Sequence, residues 1–160
     1  MKAKKYRSYV KKKTLLPDGN YKLELLDPKR VEYHNASGQL SARYYYDVAG
    51  KLHREDGPAV EWADGYKAYY IHGLPHREDG PAVETADGGK KYYIHGQRHR
   101  EDGPAVDLPS GYKAYYIHGQ YHRLDGPAVE YVNGDTEYWL NDKQVTIADM
   151  PNLTLEDLLR

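Results

Sequence analysis

Four histidines each stand three residues before an aspartate: His53 and Asp56, His76 and Asp79, His99 and Asp102, His122 and Asp125. Imidazole with carboxylate is zinc-binding chemistry, and it is also the equipment of a general base. The spacing suits neither use. Each loop offers one His and one Asp, and the next set follows 23 residues later (76 − 53 = 23). In a sheet that step is two strand spacings, about 10 Å, too wide for one ion to collect four ligands. An active site is a single asymmetric constellation, whereas these residues recur in equivalent surroundings. Ser8, Ser37, Ser41 and Ser110 sit in no nucleophile elbow, and cysteine is absent, which removes thiol catalysis, thiolate zinc and disulfides. No catalytic residue, metal site or cofactor is expected, and the chain is read as a non-enzyme.

What positions these residues is a tandem repeat. The string His53-Arg54-Glu55-Asp56-Gly57-Pro58-Ala59-Val60 returns at His76, His99 and His122, with Leu124 replacing the Glu in the last copy. Tyr69-Tyr70-Ile71-His72-Gly73 returns in the same register at Tyr92 and Tyr115 and decays to Tyr138-Trp139-Leu140-Asn141-Asp142. Repeats at a fixed period decide the fold before any local propensity does. The organisation expected is a basic arm over 1–13, a degenerate capping repeat over 14–49, four tandem repeats over 50–142 and a C-terminal cap over 143–160, together one structural domain. Thr154-Leu155-Glu156-Asp157 looks like a capping box opening a short helix with Leu155, Leu158 and Leu159 on one side.

Asp64-Gly65, Asp87-Gly88, Ser110-Gly111 and Asn133-Gly134 read as two-residue hairpin turns, because type I′ geometry needs positive φ at both positions. Pairing outward from Asp64-Gly65 sets Ala63 opposite Tyr66, Glu61 opposite Ala68 and Val60 opposite Tyr69. Side chains alternate between faces. One face then holds Val60, Trp62, Tyr69 and Ile71 with their equivalents Val83, Tyr92, Ile94, Val106, Leu108, Tyr115, Ile117, Val129, Tyr131, Tyr138 and Leu140, and is the expected core. The other carries an aromatic ladder of Tyr70, Tyr93, Tyr116 and Trp139 beside small alanines, with an acidic row of Glu61, Glu84, Asp107 and Glu130. Aromatic and arginine side chains dominate interfaces. Tyr70, Tyr93, Tyr116, Trp139, Glu61 and Glu84 are therefore candidate partner-binding residues, joined by Arg54, Arg77, Arg100 and Arg123 along the loop edge.

Among 160 residues there are 18 Tyr, 2 Trp and no Phe, so tyrosine must supply much of the buried area. The net charge of −1 conceals a split. Seven Lys or Arg and no acid occupy residues 1–13, leaving 16 basic (23 − 7) against 24 acidic side chains in the remainder. An acidic body disfavours broad phosphate contact, while the basic arm admits a narrow nucleic-acid contact. No apolar run is long enough to be a secretion signal or a membrane span, which leads to an expected cytoplasmic location, the host cytoplasm if the source is viral.

The hairpin unit with its turn glycine and Tyr-x-x-x-Gly resembles the MORN (membrane occupation and recognition nexus) repeat over roughly Val31 to Asp142. The tandem Gly-x-x-His-Arg-x-Asp-Gly-Pro-Ala string is closer to a MORN-like variant in antitoxin-like proteins and orphan phage or giant-virus proteins. The resemblance implies an all-β fold, an elongated twisted antiparallel sheet of stacked 23-residue hairpins, used for protein contacts and lacking a shared catalytic centre. The expected function is a non-enzymatic protein-binding scaffold, a phage or mobile-element inhibitor of a bacterial defence protein or toxin. Sequestration of a nucleotide-like small molecule in the tyrosine groove is the alternative, and nucleic-acid contact through residues 1–13 a lesser one.

Overall fold

The computed structural model describes residues 10–26 and 29–148. The expected C-terminal helix lies outside them, as do residues 1–9 of the basic segment. The described chain is all-β and antiparallel, with no helix among the described residues. It divides into two compact units, Met1–Leu74 and Pro75–Arg160.

In the first unit six strands pair in chain order: β1 (Val10–Leu15), β2 (Tyr21–Leu26), β3 (Lys29–His34), β4 (Leu40–Tyr45), β5 (Val60–Trp62) and β6 (Lys67–Ala68). Lys11, Lys12 and Lys13 are thus part of an outer strand, and Lys13 lies 4.1 Å above the Tyr21 ring. Charge along an outer strand discourages pairing with another sheet. Glu32 on β3 is buried between three cationic or imidazole neighbours: Arg30 at 2.9 Å, Arg43 at 3.0 Å and His34 at 3.4 Å. Burial works against its ionised form, but the hydrogen bonds and charges of Arg30 and Arg43 prevail and hold its pKa below the usual carboxylate value. Beyond β6, β7 (Tyr70–Ile71) enters a turn at His72-Gly73 and β8 (Leu74–Pro75) leaves it.

In the second unit the sheet runs β9 (Val83–Glu84), β10 (Lys90–Lys91), β13 (Val106–Asp107), β14 (Lys113–Ala114), β17 (Val129–Glu130), β18 (Thr136–Leu140) and β19 (Lys143–Val145). Two small hairpins stand beside it, β11 (Tyr93–Ile94) with β12 (Gln97–Arg98) and β15 (Tyr116–Ile117) with β16 (Gln120–Tyr121). In the last repeat the same hairpin is continuous with the sheet, because β18 runs unbroken into the turn before β19.

The turns correct the register expected from sequence. At Asp64-Gly65 the loop has three residues, with Gly65 N–H donating to the Trp62 carbonyl at 3.1 Å and Trp62 N–H to the Tyr66 carbonyl at 2.9 Å. Only the glycine has positive φ, at 102°. This is a type I turn closed by a glycine bulge. The same bonds recur from Thr85 to Gly89, Leu108 to Tyr112 and Tyr131 to Asp135. One extra loop residue moves the returning strand by one place, so Val60 faces Ala68 and not Tyr69, and Val106 faces Ala114. A slip of one residue exchanges the two faces of that strand. Type I′ geometry does occur, but at His72-Gly73, His95-Gly96 and His118-Gly119, where both residues have positive φ.

The core follows the corrected register. Val60, Val83, Val106 and Val129 are buried, as their alternation implies. Trp62 and Tyr131, expected beside them, are 43% and 40% exposed. Tyr116, expected on the open face, is only 4% exposed and packs with Ala105, Val106 and Ala114. Ala59, Ala82, Ala105 and Ala128 have no accessible surface. Their carbonyls explain the small side chain: Ala105 accepts from Tyr92 N–H and Ala128 from Tyr115 N–H, both at 2.8 Å, which draws the loop onto the strand.

Candidate functional site

Each repeat ends in an Arg-x-Asp-Gly-Pro loop tied together by its own arginine. Arg100 donates from Nε to Asp102 at 2.9 Å and from a terminal nitrogen to the Pro104 carbonyl at 3.4 Å. Its guanidinium lies 4.1 Å above the Tyr92 ring. Arg123 repeats this with Asp125, the Pro127 carbonyl and the Tyr115 ring at 3.9 Å, and reaches Glu130 at 3.0 Å. Arg77 binds Asp79, the Pro81 carbonyl and Glu84. Arg54 binds Asp56 and lies over Tyr45. The glycine of each loop has an ordinary φ and is required for room: a Cβ on Gly57, Gly80, Gly103 or Gly126 would stand 3.0–3.2 Å from the guanidinium carbon.

A second set of bonds fixes the histidines. The backbone N–H of His72 donates to His53 Nδ1 at 3.2 Å, that of His95 to His76 Nδ1 at 3.0 Å, and that of His118 to His99 Nδ1 at 3.1 Å. The rings stack in the first two pairs, with centroids 4.3 and 4.4 Å apart, and are tilted by 39° at 4.6 Å in the third. An Nδ1 that accepts carries no proton, so His53, His76 and His99 are neutral Nε2–H tautomers. Their Nε2 atoms lie 3.8 Å from Glu55, Glu78 and Glu101. His72 differs, with its Nδ1 2.9 Å from Asp47.

Between successive loops of the second unit lie two open cavities of about 720 and 680 Å³. The first has Tyr92 and Ile94 with His99 and Arg100, under a rim that includes Glu78 and Asp102. The second repeats it with Tyr115, Ile117, His122 and Arg123. In the first unit an equivalent cavity of about 630 Å³ sits among Tyr45, His53 and Arg54. The rim carboxylates project into solvent: Glu78, Asp79, Glu101 and Asp102 are 82–86% exposed. Hydrogen bonds from the arginines hold Asp56, Asp79, Asp102 and Asp125 below the usual carboxylate range. Among the described residues no three His, Asp or Glu side chains converge on a point that would hold a metal ion.

The residues expected at a partner surface divide into separate places. In the first unit Arg54 lies 3.7 Å from Glu61, and in the second Arg77 and Arg123 reach Glu84 and Glu130, both at 3.0 Å, while Arg100 bonds only within its own loop among the contacts described above. The aromatic ladder does not form one exposed stripe. Tyr116 belongs to the core, while Tyr70, Tyr93 and Trp139 are half-buried. Trp139 donates its indole N–H to Glu137 at 2.8 Å. Arg98, which sequence comparison between repeats passes over, donates to the hydroxyls of Tyr116 at 2.8 Å and Tyr93 at 3.4 Å. The only hint of it is a cation where the neighbouring repeats have Pro75 and Tyr121. Burial and a hydrogen bond shared with Tyr121 push the Tyr112 hydroxyl beside this cluster up to about 12. Compared with protein-family models, with curated proteins and with solved structures, the chain matches none.

Proposed function

We propose that this chain is a non-enzymatic protein-binding scaffold whose contact surface is the edge formed by the Arg-x-Asp-Gly-Pro loops of the second unit. The observation that supports it is repetition of an open cavity with one composition. A tyrosine and an isoleucine line it, a histidine and a tied arginine flank it, and exposed carboxylates rim it, Glu101 and Asp102 in both cavities. Interfaces of this build bury the aromatic centre and leave the charged rim to steer the approach. The rim charge favours a basic partner segment presenting groups about 10 Å apart, the step between repeats. Each loop is already braced by its own bonds, so little conformational freedom is lost on docking. That the partner is a bacterial defence protein or toxin, occluded by a phage or mobile-element product, is the narrower form of the proposal and rests on the MORN-like resemblance.

Affinity capture from bacterial lysate with the wild-type chain and with Glu78→Lys/Glu101→Lys tests this. Both side chains are more than four-fifths exposed, so the variant is expected to keep its melting temperature and lose the captured protein. A folded variant that captures the same protein in the same amount would rule out the loop edge.

A further inference from the structure

A different face of the first unit carries a slot built for a cation. Tyr33 on β3 and Trp62 on β5 both pair with Ala42 of the strand between them. Residues directly opposite one another share a face, so the two rings rise on either side of a methyl group. Their backbones are two strand spacings apart, about 10 Å. Tyr44, two residues along β4 from Ala42, closes one end, its ring edge-on to Tyr33 at 79° and 5.8 Å between centroids. Asp64 and Ser41 close the other end, at the hairpin tip, and the whole encloses about 460 Å³.

The walls are braced without being used up. Trp62 donates its indole N–H to the Tyr44 hydroxyl at 3.0 Å and is backed by Tyr66 at 4.6 Å, yet remains 43% exposed. Asp64 spends Oδ1 on the Tyr66 N–H at 2.9 Å. Ser41 donates to the Tyr33 carbonyl at 3.0 Å. Among the described residues no lysine or arginine lines the slot. Lys22 pairs with Tyr33 from the far side, and its ammonium is bound by Glu24 at 3.0 Å.

Aromatic faces and one carboxylate, with no cation among the lining residues described, favour a positive ligand over an anion. Phosphates and carboxylates are therefore disfavoured. An ordinary ammonium would lose more hydration on entry than a lone carboxylate returns. A methylated ammonium is weakly hydrated, apolar on its surface and still charged, and aromatic faces attract it. We infer that the Tyr33–Tyr44–Trp62 slot binds a trimethylammonium group, with Asp64 as the counter-charge. The chemistry is shared by choline and by trimethylated lysine. The inference is independent of the loop-edge proposal, since the two surfaces have no residue in common.

The test is a titration of the full chain, followed by NMR at the Trp62 indole N–H and by calorimetry. The probes are choline, N-acetyl-trimethyllysine amide, unmethylated lysine amide and 3,3-dimethylbutan-1-ol, the uncharged carbon isostere of choline. Choline and the trimethyllysine compound are expected to saturate the site, and choline to bind about five- to thirty-fold more tightly than its isostere. A preference for the trimethyllysine compound identifies a protein side chain as the source. A preference for choline, with binding to phosphatidylcholine vesicles, identifies a lipid headgroup. Asp64→Asn keeps the acceptor for Tyr66 and removes the charge, so it should weaken choline several-fold and leave the isostere unchanged. Ala42→Leu should fill the slot and abolish both. Equal affinity for choline and its isostere, unchanged choline binding in a folded Ala42→Leu chain, or no saturable binding would each overturn the inference. Should Ala42→Leu fail to fold, Asp64→Asn decides.

Discussion

At the scale of single residues, the loop arginine and the loop glycine are one feature. The guanidinium of Arg100 occupies the space that a side chain at position 103 would take. Gly103→Ala is therefore expected to lower stability by about 1–3 kcal/mol, the range for forcing extra atoms into a packed site. In Arg100→Ala the obstruction is gone, so the double variant should lose clearly less than the sum of the two single losses. A double-mutant cycle by chemical denaturation measures that coupling, and strict additivity would refute it. The aspartates of these loops make a pH signature. Their pKa values are lower in the folded chain than the ordinary 3.8. Their contribution is complete above that value and drains away as the pH falls through the folded pKa. Melting temperature is expected to drop below about pH 4. Their side chains are about 84% exposed, so the drop should shrink in high salt.

At the scale of the element, the turns decide which side chains face inward. His95 holds a φ of 48°, and in the last repeat Asn141 holds 47° at the same place. Asn and His tolerate the left-handed region, and β-branched residues do not. His95→Asn should be nearly neutral, whereas His95→Val should cost roughly 1–2 kcal/mol by thermal or chemical denaturation. A second expectation concerns the hidden alanines. Ala105 has no accessible surface and lies under a 2.8 Å backbone bond from Tyr92, so Ala105→Leu should destabilise by about 1–3 kcal/mol. Much of this level was legible in the sequence: the period, the hairpins, the buried valines and the aspartate–arginine pairing. The faces of the returning strands were not. Asp-Gly suits both a two-residue loop and the end of a three-residue one, and nothing local separates them. The second turn was hidden for a different reason, since His-Gly is a rare spelling of a left-handed pair. Its stabilising partner, the ring of His76, lies 19 residues away. Trp62 was misjudged for another reason: it precedes the turn and keeps the face of Val60, but it stands next to the hairpin tip, where 43% of it stays exposed.

At the scale of the whole molecule, the bonds that join one repeat to the next have the same reach everywhere within the second unit. Arg77 N–H donates to the Tyr93 carbonyl and Arg100 N–H to the Tyr116 carbonyl, both at 3.0 Å. Gly96 N–H reaches Pro75 and Gly119 N–H reaches Arg98, both at 2.8 Å. Repeat arrays of this kind owe their stability to a sum of unit terms and nearest-neighbour terms. Removing residues 99–121, one full period, should leave a folded β protein with a lower melting temperature. Circular dichroism with a thermal scan checks it, and loss of the folded signal would show that the array is not modular. The basic strand is a separate matter. Lys11→Ala/Lys12→Ala on the exposed outer strand should leave the melting temperature nearly unchanged. If residues 1–13 contact nucleic acid, the same variant should also flatten the salt dependence of that affinity.

The uniform reach of those bonds has a consequence in heredity. Near-identical stretches of coding sequence mispair during replication and recombination, and what they gain or lose is a whole unit at a time. In most proteins such an event severs contacts that no remaining residue can remake. Here the residue after the junction is of the kind that stood before it: with 99–121 gone, His122 follows Arg98 as His99 did. The donor left at the break, Asp142 N–H, loses the Tyr121 carbonyl and is offered the Arg98 carbonyl in the equivalent place. Copy number is thereby exposed to selection as a trait of its own, and a lineage could lengthen or shorten its row of loops without inventing a residue.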